Sequence, residues 1–214
     1  MRRTILGQQP PPDAYLAVGA PENYYIHGGY TIRQRNVAFD DSTWEDEAQR
    51  DVYWFARDVA DKYDLKTVLD IGCGSGYKLV TNFYNHETTG IEVDRTYRHC
   101  IRAWPNRNWR IVDYSWLPET APDLVICSDV IEHVLHPDQL MDYISRLHAK
   151  YAVLSTPERN LLLTGAHDGP PHNPAHVREW SFPEMSKYAR DTFTVKEHFV
   201  LGYSQVLLLT AKEF

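Results

Sequence analysis

Apolar positions along this chain switch between two periods. Trp44, Ala48, Val52, Phe55, Val59 and Tyr63 recur at helical spacing, with Ser42 or Thr43 ahead of them as an N-cap, which predicts a helix ending at Tyr63. Short β-branched and aliphatic runs then take over. Thr67 to Ile71, Thr88 to Val93, Trp109 to Val112, Asp123 to Cys127 and Tyr151 to Ser155 read as buried strands. Helical spacing returns between them at Tyr77 to Tyr84, at about Arg95 to Ala103, and at Pro137 to Ala149. The leading proline of the last gives up an N–H that a first helical turn does not use. Strands alternating with helices predict an α/β fold around a parallel sheet. The ending differs. Ser181-Phe182-Pro183-Glu184 is a capping box that opens a final helix. Phe193 to Val200 and Gln205 to Ala211 are β-rich runs separated only by Leu201-Gly202-Tyr203-Ser204. So short a connection makes the pair an antiparallel hairpin.

Residues 1–43 show little of this periodicity. They hold Pro10-Pro11-Pro12 and a Tyr24-Tyr25-Ile26-His27-Gly28-Gly29-Tyr30 cluster. The stretch reads as an N-terminal arm or lid on a domain spanning residues 44–214. Aromatic rings with polar ends, here Tyr24, Tyr25, His27 and Tyr30, suit a cover over a small polar acceptor, and Gly28-Gly29 permits a tight turn. An arm packed on the core, or on a second subunit, is the alternative.

The string Val68-Leu69-Asp70-Ile71-Gly72-Cys73-Gly74-Ser75-Gly76-Tyr77 joins the first strand to the next helix. Glycines let backbone approach a ligand closely, and the turn delivers that ligand to a helix N-terminus in the crevice of an open α/β sheet. The spacing is G-x-G-x-G; Tyr77 stands where a dinucleotide fingerprint needs its third glycine. At the end of the second strand, Gly90-Ile91-Glu92-Val93-Asp94 places acids about twenty residues after the glycine turn, where a carboxylate can accept both hydroxyls of a ribose, and Asp94 suits the N-cap of the next helix.

The glycine string resembles the first motif of class I S-adenosylmethionine methyltransferases. Pro122-Asp123-Leu124-Val125-Ile126-Cys127-Ser128-Asp129-Val130-Ile131-Glu132-His133-Val134 is similar to the F-D-L-V-x-x-x-x-V-L-E-H-L stretch of the small-molecule members. His176-Val177-Arg178-Glu179-Trp180 resembles a segment of methyltransferases encoded with bacterial glycosyltransferases. The resemblance implies a Rossmann-like, seven-stranded, mostly parallel sheet with an antiparallel C-terminal hairpin and helices on both faces. It implies S-adenosylmethionine as cofactor and S-adenosylhomocysteine as product. Asp70, Gly72, Cys73, Gly74 and Gly76 would then cradle the amino acid half, with the backbone at Ser128 near it. Glu92 would hold the ribose. Asp113 would receive the adenine amino group with Tyr114 beside it, and Val93 and Trp116 would wall the adenine.

Composition narrows the acceptor. The 214 residues suit one domain, and a net charge of -7 without a basic run argues against a nucleic-acid acceptor. No apolar run approaches the ~20 residues of a membrane span, and the N-terminus lacks the apolar core of a signal peptide. Cys73, Cys100 and Cys127 have no metal spacing, which suits a reduced, cytoplasmic protein.

Methyl transfer to oxygen needs something to take a proton. His133, just after the fourth strand, is one candidate base; a bracing role with Glu132 is the alternative. The loop after the fifth strand carries Arg159, His167, Asp168, His172, His176 and Arg178. His176 and Arg178 are the other catalytic candidates, and Arg159, His172 or Arg178 could hold an acceptor, an arginine by its bidentate fork. A local Arg178–Glu179 ion pair is the competing reading. His167, Asp168, His172 and His176 have metal-binding side chains, but prolines break the spacing that would converge them, and no metal is expected. The sum is a methyltransferase acting on a small or sugar-like acceptor, at oxygen. Transfer to nitrogen or to a phosphate-type oxygen is one alternative, and a non-catalytic binding protein of the same fold is another. A homodimer is compatible with all three.

Overall fold

A computed structural model of the chain describes residues 22–212, apart from positions 36, 163, 164 and 166. The first 21 residues of the expected arm, proline triplet included, lie outside the described residues. A single seven-stranded sheet organises the rest. Its strands are β1 (Thr67–Ile71), β2 (Glu87–Glu92), β3 (Asn108–Ile111), β4 (Leu124–Ser128), β5 (Tyr151–Pro157), β6 (Phe193–Leu201) and β7 (Ser204–Ala211). They lie in the order β3-β2-β1-β4-β5-β7-β6. The first five are parallel; β7 pairs antiparallel with both β5 and β6. Strand order reverses between β1 and β4, so the crevice for a ligand opens at their C-terminal ends.

Alternation along the strands builds two cores. Val68, Leu124, Ile126, Val206 and Leu208 face α1 (Arg50–Lys62), α2 (Tyr77–Asn82) and α3 (Asp94–Ala103). Leu69, Val125, Cys127, Leu207 and Leu209 face α4 (Pro137–Arg146) and α6 (Phe182–Thr192). A one-turn helix, α5 (Arg159–Leu162), follows β5. The link from β3 to β4 carries no helix, and an open groove of about 800 Å³ borders the far ends of β1 to β3, away from the glycine turn. No helix among the described residues is long and apolar enough to cross a membrane. The three cysteines are buried and unpaired.

Two expectations are corrected. The first helix begins at Arg50, not after Ser42 or Thr43, because Gln49 takes a left-handed conformation and residues 42–49 are held by tertiary contacts instead. Val93, not Asp94, occupies the N-cap of α3; Asp94 sits inside the first turn, where its charge favours the helix dipole and pairs with Arg98 at 3.1 Å.

Candidate active site

The glycine turn sits at the reversal point. Gly72, Gly74 and Gly76 all have positive φ. A Cβ at Gly72 would run into Val130 Cγ2, and one at Gly76 would meet Trp109 Cη2 at 2.6 Å, so the cradle admits only glycine there. Cys73, between them, is buried beside Gly90. Ile91 O accepts the Gly72 N–H at 2.9 Å, which fixes the turn to β2.

Three acids converge behind it. Asp70 is fully buried and accepts the Tyr53 hydroxyl at 2.8 Å; burial pushes its carboxyl up to about 7. Glu92 accepts the N–H of Gly74 at 3.3 Å and of Val93 at 2.6 Å. Burial, with Asp41 nearby, raises Glu92 to about 8. Asp41 comes from the segment before α1, and its carboxylate lies where a Gly74 Cβ would stand. Burial raises Asp41 as well. The same segment is pinned by Ser75 Oγ on Trp44 O, by Lys78 Nζ on Glu45 O at 3.0 Å, and by the Arg95–Asp40 ion pair. Residues 40–45 therefore cover the turn, a role that nothing in their own pattern announces.

Asp113 stands one residue past Val112, exposed, its Oδ1 accepting the Ser115 hydroxyl at 2.6 Å and N–H at 2.8 Å. Those bonds hold its carboxyl below the usual range. Tyr114, Val93 and Trp116 are half-buried beside the core.

The end of β4 brings a second group together. Ser128 Oγ shares a hydrogen bond with Ser155 Oγ at 2.9 Å, and Ser155 also donates to Asp129 Oδ1 at 2.7 Å. Glu132 is wholly buried and accepts the Thr156 hydroxyl at 2.9 Å. Burial, with the Asp129 charge nearby, raises its carboxyl well above the usual range. His133 donates from Nδ1 to Ala175 O at 2.9 Å, and burial lowers the ring to about 4, so it is neutral at physiological pH. His176 holds Glu179 Oε1 on Nδ1 at 2.6 Å. The two imidazole centroids lie 4.8 Å apart, edge to face. Glu132 O accepts the Val177 N–H at 2.7 Å and so ties the loop to the end of β4. Asp129, Glu132 and Glu179 had one signal in the sequence: acids flanking histidines on strings that follow strands.

The arm and loop residues are anchored to the protein. Arg159 spans Glu184 with Nη1 at 2.8 Å and Nη2 at 2.9 Å. His27 bridges Glu184 at 3.1 Å and Asp168 at 2.8 Å. Tyr25 donates to Asp191 at 2.8 Å, Tyr24 O accepts the Trp180 indole N–H at 3.0 Å, and Tyr30 Oη accepts the Glu179 N–H at 3.1 Å. Arg178 is buried, stacked 4.5 Å over the Tyr24 ring and bonded to Leu135 O at 3.0 Å, not to Glu179. His172 is exposed. His167, Asp168 and His172 do not join the cluster that His176 makes with Glu132 and His133.

The profile of a family described as "Methyltransferase domain" matches residues 43–195. No characterised protein sequence matches significantly. Among solved structures, the chain is similar to the methyltransferase domain of bacterial CtHen1-C, at TM-score 0.63 and 16% identity over 77% of this chain and 99% of that one. It is similar to the PH0226 protein of Pyrococcus horikoshii OT3, at TM-score 0.62 and 18% identity over 91% and 100%. It is also similar to an O-methyltransferase of neocarzinostatin biosynthesis, NcsB1, solved with S-adenosylmethionine and 2-hydroxy-5-methyl naphthoic acid, at TM-score 0.57 and 17% identity over 72% and 52%.

Proposed function

The chain belongs to the methyltransferase-domain family, and from that premise we propose that it moves a methyl group from S-adenosylmethionine to an oxygen of a small or sugar-like acceptor. S-adenosylmethionine is the cofactor, and it fits the residues present: a glycine-only cradle, and a carboxylate at the end of β2 already fixed by two N–H groups. In this reading Gly72 to Gly76, with Asp70 behind them, receive the amino acid half. Glu92 accepts the ribose hydroxyls. Asp113 and Tyr114 bound the adenine, and the backbone at Ser128 lies by the methionine part. The bound cofactor supplies a methyl group on a sulfonium, activated for in-line displacement.

What remains for this chain's own residues is to orient the acceptor and handle its proton. The observation that carries an oxygen acceptor is the convergence of Glu132, His133 and His176 at the end of β4. A hydroxyl arriving there meets two imidazoles and a carboxylate. His133, at about 4, is a poor proton acceptor by itself. His176, with a carboxylate on Nδ1, has the partner that steadies an imidazolium. Arg178, packed over the Tyr24 ring and bonded to Leu135 O, braces the arm against the end of the loop. Residues 1–43 act as the arm: its described part ties to the loop through Thr31 N on Asp168 O at 2.7 Å, Arg33 N on Val177 O at 2.8 Å and Val37 N on Pro174 O at 3.0 Å. In this reading Tyr24, His27, Tyr30 and Arg159 hold the loop over the acceptor, and Tyr25 ties the arm to α6 through Asp191.

The test is methyl-labelled S-adenosylmethionine offered with matched hydroxyl- and amine-bearing sugars and phenols, products read by mass spectrometry. Label on hydroxyls alone is expected. Label on amines alone would transfer the reading to nitrogen, and failure to bind S-adenosylhomocysteine would leave a binding protein of this fold.

A further inference from the structure

We propose that Glu132, His133 and His176 bind one divalent transition-metal cation, whose remaining positions take the hydroxyl of the acceptor. One ligand atom from each of the three lies within 4.8 Å of the others. Two observations beyond that clustering point to a cation.

The first concerns Glu132. Its side chain is buried, Thr156 serves Oε2, and Oε1 has no hydrogen-bond partner although it faces His133 Nε2 at 3.8 Å. A buried carboxylate oxygen left in this way is costly unless positive charge comes to it. Asp129 and Glu179 add further negative charge around it.

The second is how the imidazoles are held. A backbone carbonyl, Ala175 O, takes the Nδ1 proton of His133; a carboxylate, Glu179 Oε1, takes that of His176. With Nδ1 of each ring engaged in this way, Nε2 is the nitrogen that can turn to an ion. Metal-ligating histidines are fixed in this manner, by a carbonyl or carboxylate on the other ring nitrogen. His176 Nε2 accepts from Asn173 Nδ2 at 2.9 Å. Asn173 is exposed, so its amide can swing away when an ion arrives.

One carboxylate oxygen and two imidazole nitrogens suit Mn²⁺, Fe²⁺, Co²⁺ or Zn²⁺ better than Mg²⁺, which prefers oxygen and water. Three protein ligands leave positions open. A hydroxyl bound there loses its proton more readily and is held in one orientation. The ion site rests on the donor geometry alone; its role with a hydroxyl rests on the oxygen-acceptor reading above. The loop histidines His167 and His172, which the sequence grouped with His176, take no part.

The test uses the full chain, stripped with chelator and titrated with Co²⁺ alone and with Mn²⁺ alone. One Co²⁺ per chain is expected, with ligand-field absorption and a raised melting temperature, and one Mn²⁺ by loss of its free resonance signal. Glu132→Gln or His176→Ala should weaken Co²⁺ by about a hundredfold, and Glu179→Gln by about tenfold, since it only holds a ligand in place. Glu132→Gln keeps the size of a buried side chain whose Oε1 has no hydrogen-bond partner, so in chelator it should melt close to the wild type, which separates a lost ion from a lost fold. Failure of Co²⁺ and Mn²⁺ to bind at millimolar concentration, or equal binding to Glu132→Gln and His176→Ala, overturns the site. S-adenosylhomocysteine titrated into the same samples keeps the readings apart. Cofactor binding without Co²⁺ binding sinks the ion site alone. Co²⁺ binding without hydroxyl methylation upholds the site and removes the role.

Discussion

Tyr53 Oη donates to Asp70 Oδ2 at 2.8 Å, tying the first turn of α1 to the acid that precedes the glycine turn. Both side chains are buried, and Asp70 Oδ1 has no hydrogen-bond partner. Tyr53→Phe removes the one side-chain donor on that carboxyl. Urea denaturation should show a loss of about 1–3 kcal/mol. Unchanged stability would mean that the bond contributes nothing net.

Asp70 and Glu92, raised by burial to about 7 and about 8, hold protons more tightly folded than unfolded. Their contribution is therefore greatest at acid pH. It declines as pH climbs from the ordinary carboxylate range to about 8, where the folded groups finally ionise. In cofactor-free protein, melts of Asp70→Asn and Glu92→Gln should show a flatter decline than wild type between pH 5 and pH 8, values taken roughly from those shifts. Equal slopes would remove these two groups from the pH dependence.

In the proposed function Glu92 accepts two ribose hydroxyls as an ionised carboxylate. Affinity for S-adenosylhomocysteine should rise with pH toward about 8 and then level, by at most about tenfold per pH unit. Glu92→Gln should bind weakly at every pH. Calorimetric titration across the range decides it; a flat wild-type profile would detach Glu92 from the ribose.

Gly74→Ala places a methyl against the Asp41 carboxylate at a positive φ of 57°. The variant should lose affinity for S-adenosylhomocysteine and, with the covering segment displaced, become easier to cleave near residues 40–45. Limited proteolysis with and without ligand reads both effects, and a cleavage pattern like that of wild type would argue against the cover.

Burial opposes ionisation of Glu184, yet hydrogen bonds from Arg159, Ser181 N–H and His27 hold its carboxyl down to about 2. That contribution is complete above the ordinary glutamate range and is lost as pH falls toward 2. Glu184→Ala breaks the Arg159 fork and the α6 capping box together and should cost about 3 kcal/mol at neutral pH. Its penalty should shrink in acid. A penalty constant from pH 7 to pH 3 would place the loss in packing rather than charge.

The sheet was readable because its punctuation is local. Gly72 ends β1 after Ile71, as expected, and the Ser181–Glu184 box starts α6 where the sequence says it should. Periodicity overextends the first helix because Trp44 and Ala48 keep a helical period while tertiary bonds to Ser75 and Lys78 hold residues 44 and 45 elsewhere. Single-chain periodicity has no term for a partner thirty residues away. Glu92 lay in plain view at a strand end. Asp41 did not, since an acid in an aperiodic stretch looks solvated until the fold lays it on Gly74. His133 and His176 each drew notice, but their meeting depends on Glu132 O capturing the Val177 N–H. That long-range bond leaves no mark in either string.

Asp41, Asp70 and Glu92 crowd one crevice, and each carboxyl is raised mainly by burial, with neighbouring carboxylates adding to the shift. Such a place is tuned to charge as much as to shape. In the proposed function S-adenosylmethionine would bring a sulfonium cation to this crevice and relieve the crowding by charge attraction. Once its methyl group has gone, the sulfur is neutral and the relief shrinks. In the proposed function, the acids that attract the incoming cofactor would thus hold the demethylated one less firmly.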